Sequence, residues 1–170
     1  TERRQAETEA HRLNDILEER VLARTKELEV EFSERKLAEA ELQIQRDFMR
    51  QITDSMGQGL VVYDKRGILE YCNPYLANLF GYRPEEILGQ PMSRFLIAGD
   101  EAILRNNMVR RAAGETSAYE IRIHALNGAI RHLLIAATPR YLLGVPDGGI
   151  AVVTDLTDRK HAEEMVRQRE

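Results

Sequence analysis

Residues 1–56 contain no glycine and no proline; the first of each are Gly57 and Pro74. A stretch this long without a helix breaker is the strongest constraint on the fold. It is rich in Glu, Arg, Ala, Leu, Lys and Gln, all good helix formers. At about 1.5 Å per residue such a helix would be roughly 80 Å long. A chain of 170 residues holds one ordinary domain, which cannot bury a helix of that length. The helix therefore needs a partner helix.

Stepping alternately by four and three from Leu17 gives Leu17, Val21, Arg24, Leu28, Glu31, Arg35 and Ala38, then Leu42, Gln45, Met49, Ile52 and Met56. The ends of this seam are apolar and its middle is polar. The apolar residues Leu17, Val21, Leu28, Leu42, Met49 and Ile52 are the candidate contacts of a parallel homodimer. Two readings of the polar middle stay open. One is a loosely paired coil with frayed segments, the other a seam kept marginal so that it can shift register or rotate. From Leu37 onward Leu37, Ile44 and Phe48 widen the stripe, as expected of a helix that touches both its dimer partner and the sheet that follows. Asp54, Ser55 and Gly57 end it, with Gly57 as a left-handed cap.

Beyond residue 57 the period changes from helix to strand. Gly59–Asp64 and Ile68–Cys72 read as a hairpin closed by the turn Asp64-Lys-Arg-Gly67. Asn73-Pro74 starts a helix, Asn as N-cap and Pro at the first helical position, and Gly81 closes it. Pro84–Leu88 forms a short helix, Pro91–Leu96 one more turn, and Asp100 caps a longer helix over about 101–113 with Ile103, Leu104, Met108 and Val109 periodic. Tyr119, Ile121 and Ile123 alternate with Glu120, Arg122 and His124 as a half-buried strand. Asn127-Gly128 signals a hairpin. Ile130–Thr138 reads as a central strand, 145–149 as a loop and Ile150–Thr154 as the last strand. The order β-β-α-α-α-α-β-β-β gives an α+β class with one five-stranded antiparallel sheet.

Composition excludes several classes. The net charge of −4 gives no basic surface for nucleic acid. The single cysteine, Cys72, excludes an internal disulfide framework and fits a reducing, cytoplasmic compartment. No apolar run approaches the roughly 20 residues of a membrane span. The chain reads as a fragment of a longer protein, so an anchor could lie upstream of it. No phosphate loop, Ser-His-Asp grouping or pair of catalytic carboxylates stands out, so no catalytic activity is expected of it.

The order of elements, the Asn73-Pro74 start, the segment Asn78-Leu-Phe-Gly81-Tyr82 and Pro84-Glu-Glu-Ile-Leu-Gly89 together resemble the PAS family over about residues 48–157. The ending Val153-Thr-Asp155-Leu156-Thr157 resembles the family's Asp-Ile-Thr motif, with Leu in place of Ile. The resemblance implies a PAS fold over 48–157, a signalling helix over 1–47 and the start of an outgoing helix over 158–170. It implies a sensor or relay module whose output domain, most often a histidine kinase and alternatively a diguanylate cyclase, lies outside this chain. It further implies that Asp155, Thr157 and Arg159 form the joint through which a strand movement reaches the outgoing helix. By their chemistry, Asp155 and Thr157 can receive orphan N–H groups of that helix, and Asp155 can pair with Arg159. Ser33–Glu39 recurs as Thr157–Glu163; either two charged helices are alike by chance, or the same helix type enters and leaves the domain.

No cofactor is identifiable. Members of the flavin photoreceptor branch need a cysteine before an Arg-Phe-Leu segment; here Ser93 precedes Arg94-Phe95-Leu96, and serine cannot form the photoadduct. The long helix has no histidine for haem. His124 and His132 flank a hairpin and could approach one another, but two ligands do not make a metal site. His161 stands among Arg and Lys on the outgoing helix. A small-molecule pocket between the sheet and the middle helices stays open, with Tyr71, Asn78, Arg94, Asn107 and Thr138 as polar residues in its region. A ligand-free spacer that only dimerises is the competing expectation.

Overall fold

The computed structural model describes residues 1–169, which divide into two compact units, Thr1–Met49 and a second beginning at Arg50. The first unit is helix throughout after Thr1, and helix α1 runs Glu2–Ser55. Every side chain of that unit is exposed, including the apolar ones. The six seam residues of α1 are between 40% and 64% exposed. Leu37, Ile44 and Phe48 are exposed as well. Thr53 alone in α1 is buried. Gly57 has φ 61°, the left-handed geometry expected after the helix end.

The second unit is the expected α+β domain. Its strands are β1 (Gly59–Tyr63), β2 (Leu69–Cys72), β3 (Ser117–His124), β4 (Ile130–Leu142) and β5 (Val145–Asp155). They form one antiparallel sheet in the order β2-β1-β5-β4-β3. Helices α2 (Pro74–Phe80), α3 (Pro84–Ile87) and α4 (Glu101–Ala112), with a 3-10 turn at Met92–Phe95, lie between β2 and β3. Helix α5 (Thr157–Arg167) follows β5. The core forms where inward residues of the sheet, such as Val61, Ile121, Leu133 and Val153, meet Leu76, Phe80, Ile87 and Phe95 from the helical side. The Phe95 ring packs against Phe80 and Tyr82 at centroid distances of 5.3 and 5.4 Å.

Three expectations are corrected. Residues 145–149 are not a loop: β4 and β5 extend to a tight hairpin at Leu143-Gly144, where both residues have positive φ. A two-residue turn of that hand matches the twist of its strands, but Leu is a poor candidate for it and gave no signal. The Pro-Asp-Gly-Gly run is absorbed by a register shift between Pro139 and Tyr141. Gly148 there has φ 84°, and a Cβ at that position would stand 1.9 Å from the Tyr63 carbonyl oxygen, so only glycine fits.

The buried face of α4 also differs. Leu104 and Met108 pack on the core, but Ile103 and Val109 are exposed and Arg111 is 1% exposed. Asp100 stands before α4 without capping it. Its carboxylate turns to β3 and accepts from the Arg122 backbone N–H at 2.7 Å, Nε at 3.1 Å and Nη2 at 2.7 Å.

Candidate functional site

Two regions could carry function: the pair of junctions where helices join the sheet, and a cavity inside the domain. At the incoming junction the controlling residue is Asn73, fully buried between β2 and α2. Its Oδ1 accepts from Leu76 N–H at 3.1 Å, the expected N-cap bond, and also from Leu60 N–H at 3.0 Å. Its Nδ2 donates to the carbonyls of Thr53 at 3.1 Å and Gln58 at 2.9 Å. One amide thus holds the last turn of α1, the approach to β1, β1 itself and the start of α2. The N-cap role is visible in Asn73-Pro74; the other bonds depend on contacts 13, 15 and 20 residues back in the chain, which no local pattern signals.

At the outgoing junction Asp155 Oδ1 accepts from Thr157 N–H at 2.9 Å and from its hydroxyl. This is the expected use of the carboxylate at a helix start. Thr157 has a different partner from the one expected: its Oγ1 accepts from the backbone N–H of His132 on β4, at 3.0 Å. The His132 carbonyl accepts from Leu156 N–H at 2.7 Å. Asp155 pairs with Arg131 at 3.4 Å, not with Arg159, which points along α5 to Glu163 at 2.8 Å. An i,i+4 partner on the same helix is simply nearer. Lys160, one residue on, reaches Glu120 of β3 at 2.9 Å. Strand pairing brings the two junctions together. β1 leads in from α1 and β5 leads out to α5, and Gly59 faces Val153 in the antiparallel register. Gln58 Nε2 donates to Thr154 Oγ1 at 3.0 Å across the gap.

The cavity lies between the sheet and α2, α4 and the 3-10 turn, with a volume of about 400 Å³. Its body is apolar, walled by residues such as Leu76, Phe80, Met108, Ile121, Ile135 and Val153. None of the five polar residues expected in this region lines it. Tyr71, Asn78, Arg94 and Thr138 are exposed, and Asn107 is taken up by bonds to Ile103 and Ser117. The polar groups on the wall are Tyr63, Tyr119, Ser93, Lys65, Arg66 and Arg105. Burial pushes the Tyr63 phenol up, against an opposing effect of Arg111, and pushes the Tyr119 phenol up, reinforced by Tyr63. Ser93, the residue in place of the photoreceptor cysteine, does line the cavity; Cys72 is buried elsewhere on β2, its thiol pushed up by burial and by Glu85.

Arg111 was not anticipated. It falls in a basic last turn of α4, where a solvated side chain is the ordinary outcome. Instead Nη1 donates to the carbonyls of Ala137, at 2.9 Å, and Glu115, and Nη2 to the Ser117 hydroxyl, which itself donates to Asn107. Its Nε has no partner. His124 and His132 do not face each other: Arg122 is opposite His132, and His124 is opposite Ile130. No group of three or more His, Cys, Asp or Glu with metal-binding geometry occurs among the described residues. No helix among them is long and apolar enough to cross a membrane.

A family model described as PAS fold matches residues 53–161. The virulence sensor protein BvgS of Bordetella parapertussis is 31% identical over 131 residues, covering 74% of this chain and 11% of BvgS. The chain thus spans about a tenth of the length of the curated relatives it matches. Among solved structures, the PAS domain of an HTR-like protein from Haloarcula marismortui aligns with a TM-score of 0.63 at 18% identity, over 71% of this chain and 98% of that one. A domain of a sensory box sensor histidine kinase/response regulator from Geobacter sulfurreducens gives a TM-score of 0.56 at 19% identity, over 67% and 96%. At such identities the structural likeness speaks for the fold.

Proposed function

The chain belongs to the PAS-fold family, and from that premise we propose that it is a dimeric sensor and relay module rather than an enzyme. The α1 seam pairs two copies, the domain biases the arrangement of that pair, and α5 passes the bias to an output domain outside this chain. The likeness to a virulence sensor protein, and to solved domains of sensor histidine kinases, favours a histidine kinase as that output, in a cytoplasmic two-component pathway. The observation that carries the reading is the meeting of incoming and outgoing chain on adjacent strands, bridged by Gln58 and Thr154. A small displacement of β5 against β1 acts on both junctions at once. Asp155 and Thr157 tie the start of α5 to β4 through Arg131 and His132, and Arg159 sits one turn further on. A coupling of about 1–3 kcal/mol is enough for such a device. The cavity is the place where a small molecule would bias it.

Pairing through α1 is supported by its exposed apolar residues, which a lone helix leaves in water. Light scattering on the eluting chain at tens of micromolar is expected to give the dimer mass. Placing charges in the seam, Leu28→Glu with Leu42→Glu, is expected to give the monomer. A wild-type monomer would refute the pairing and leave a domain with no means of relay through α1.

A further inference from the structure

The charged groups on the cavity wall are all of one sign. Lys65, Arg66 and Arg105 line it, and no Asp or Glu does. The chain as a whole is acidic, at −4, so composition does not produce this bias. Arg66 is engaged by Asp64, Nε to Oδ2 at 3.2 Å. Lys65 and Arg105 have no carboxylate within ion-pair distance among the described residues.

A further cation is buried within the domain. Arg111 is fully buried, and its partners are two carbonyls and a hydroxyl, all neutral. Buried charges are normally paired with an opposite charge. This one lacks a carboxylate and keeps an unpartnered Nε. Two tyrosines on the cavity wall respond to this charge: Tyr63, whose phenol feels Arg111 directly, and Tyr119, which feels both. Burial raises both phenols, so at neutral pH each carries its proton and can donate it in a hydrogen bond. A volume of about 400 Å³ is of the size that small-molecule sites have, roughly 300–1,000 Å³.

We propose that the cavity receives an amphiphilic monocarboxylate. Its aliphatic or aromatic body packs against Leu76, Phe80 and Ile135, its carboxylate accepts from the Tyr63 and Tyr119 hydroxyls, and Arg111 supplies the counter-charge. Lys65 and Arg105 at the wall attract the anion and disfavour a cation. This assignment rests on the reading of the cavity as the sensor site.

The test is calorimetric titration of the full chain with octanoate, 3-phenylpropionate, 1-octanol and octylamine. At least one acid is expected to bind ten times or more tighter than octanol, with octylamine undetected. Tyr119→Phe is expected to weaken the acid about tenfold, the loss of one hydrogen bond to a charged group, and to leave octanol within about twofold. The comparison of head groups on the wild-type chain stands even where a variant misfolds. Equal affinity for acid and alcohol, preference for the amine, or no binding of any probe would overturn the proposal. The relay reading fails separately: an acid that binds selectively yet leaves the geometry of α5 in the dimer unchanged would refute relay and keep the ligand class.

Discussion

At Asn73 four hydrogen bonds converge on one buried amide, two accepted by Oδ1 and two donated by Nδ2. That uses both donors and both lone pairs of the side-chain amide. Asn73→Ala leaves two buried N–H groups and two carbonyls to find new partners. It is expected to cost about 2–4 kcal/mol in urea unfolding; a loss below about 1 kcal/mol would show that water replaces the bonds. Asp100 gives a pH dependence. Hydrogen bonds from the Arg122 side chain hold its carboxyl below the ordinary value of 3.8, against the effect of burial. The folded value lies below the unfolded one, so this contribution to stability is complete above about pH 4 and is lost as pH falls through the folded value. Asp100→Asn is expected to lower stability at neutral pH and to flatten the acid limb of the stability curve, read from urea midpoints at descending pH. Both roles were only half legible. Each residue was correctly placed next to a helix start, but which groups its oxygens serve depends on strands distant in sequence.

Among the elements, α1 and the sheet were legible because their periods are long and uninterrupted. The hairpin between β4 and β5 was not, because its turn uses Leu143 where Asn or Gly would have signalled it. Leu143 has φ 50° and is 98% exposed, so it adopts a costly backbone conformation with no burial in return. Leu143→Asn is expected to stabilise the domain by about 0.5–1 kcal/mol in thermal or urea unfolding. A destabilisation would mean that Leu143 is covered by a partner surface in solution. The face of α4 was misread for the opposite reason. A periodicity argument assigns apolar residues inward, yet the one buried residue of α4 is Arg111, held by carbonyls of β4 and of the following loop. The cavity followed the same logic. Its apolar walls come from residues already assigned to a core, and two of its polar groups, Tyr63 and Tyr119, occupy strand positions that read as ordinary inward residues. The repeat of Ser33–Glu39 at Thr157–Glu163 carries equivalent ion pairs, Arg35 with Glu39 at 3.6 Å and Arg159 with Glu163 at 2.8 Å.

For the molecule as a whole, the account turns on communication between the sheet and the helix that leaves it. The register of β1 on β5 and the bonds of Asp155 and Thr157 supply a mechanical basis, and the coupling itself is the claim to test. Met165 is exposed on α5 and Cys72 is buried, so a nitroxide attached at Met165→Cys reports the separation of the two outgoing helices in the dimer. The decisive measurement is the pulsed dipolar distance distribution between these labels, with and without Asp155→Ala, at matched dimer mass. A shifted or clearly broadened distribution in the Asp155→Ala chain, with the dimer intact, is the result the relay predicts. Identical distributions would contradict it and leave the domain a spacer on a paired helix.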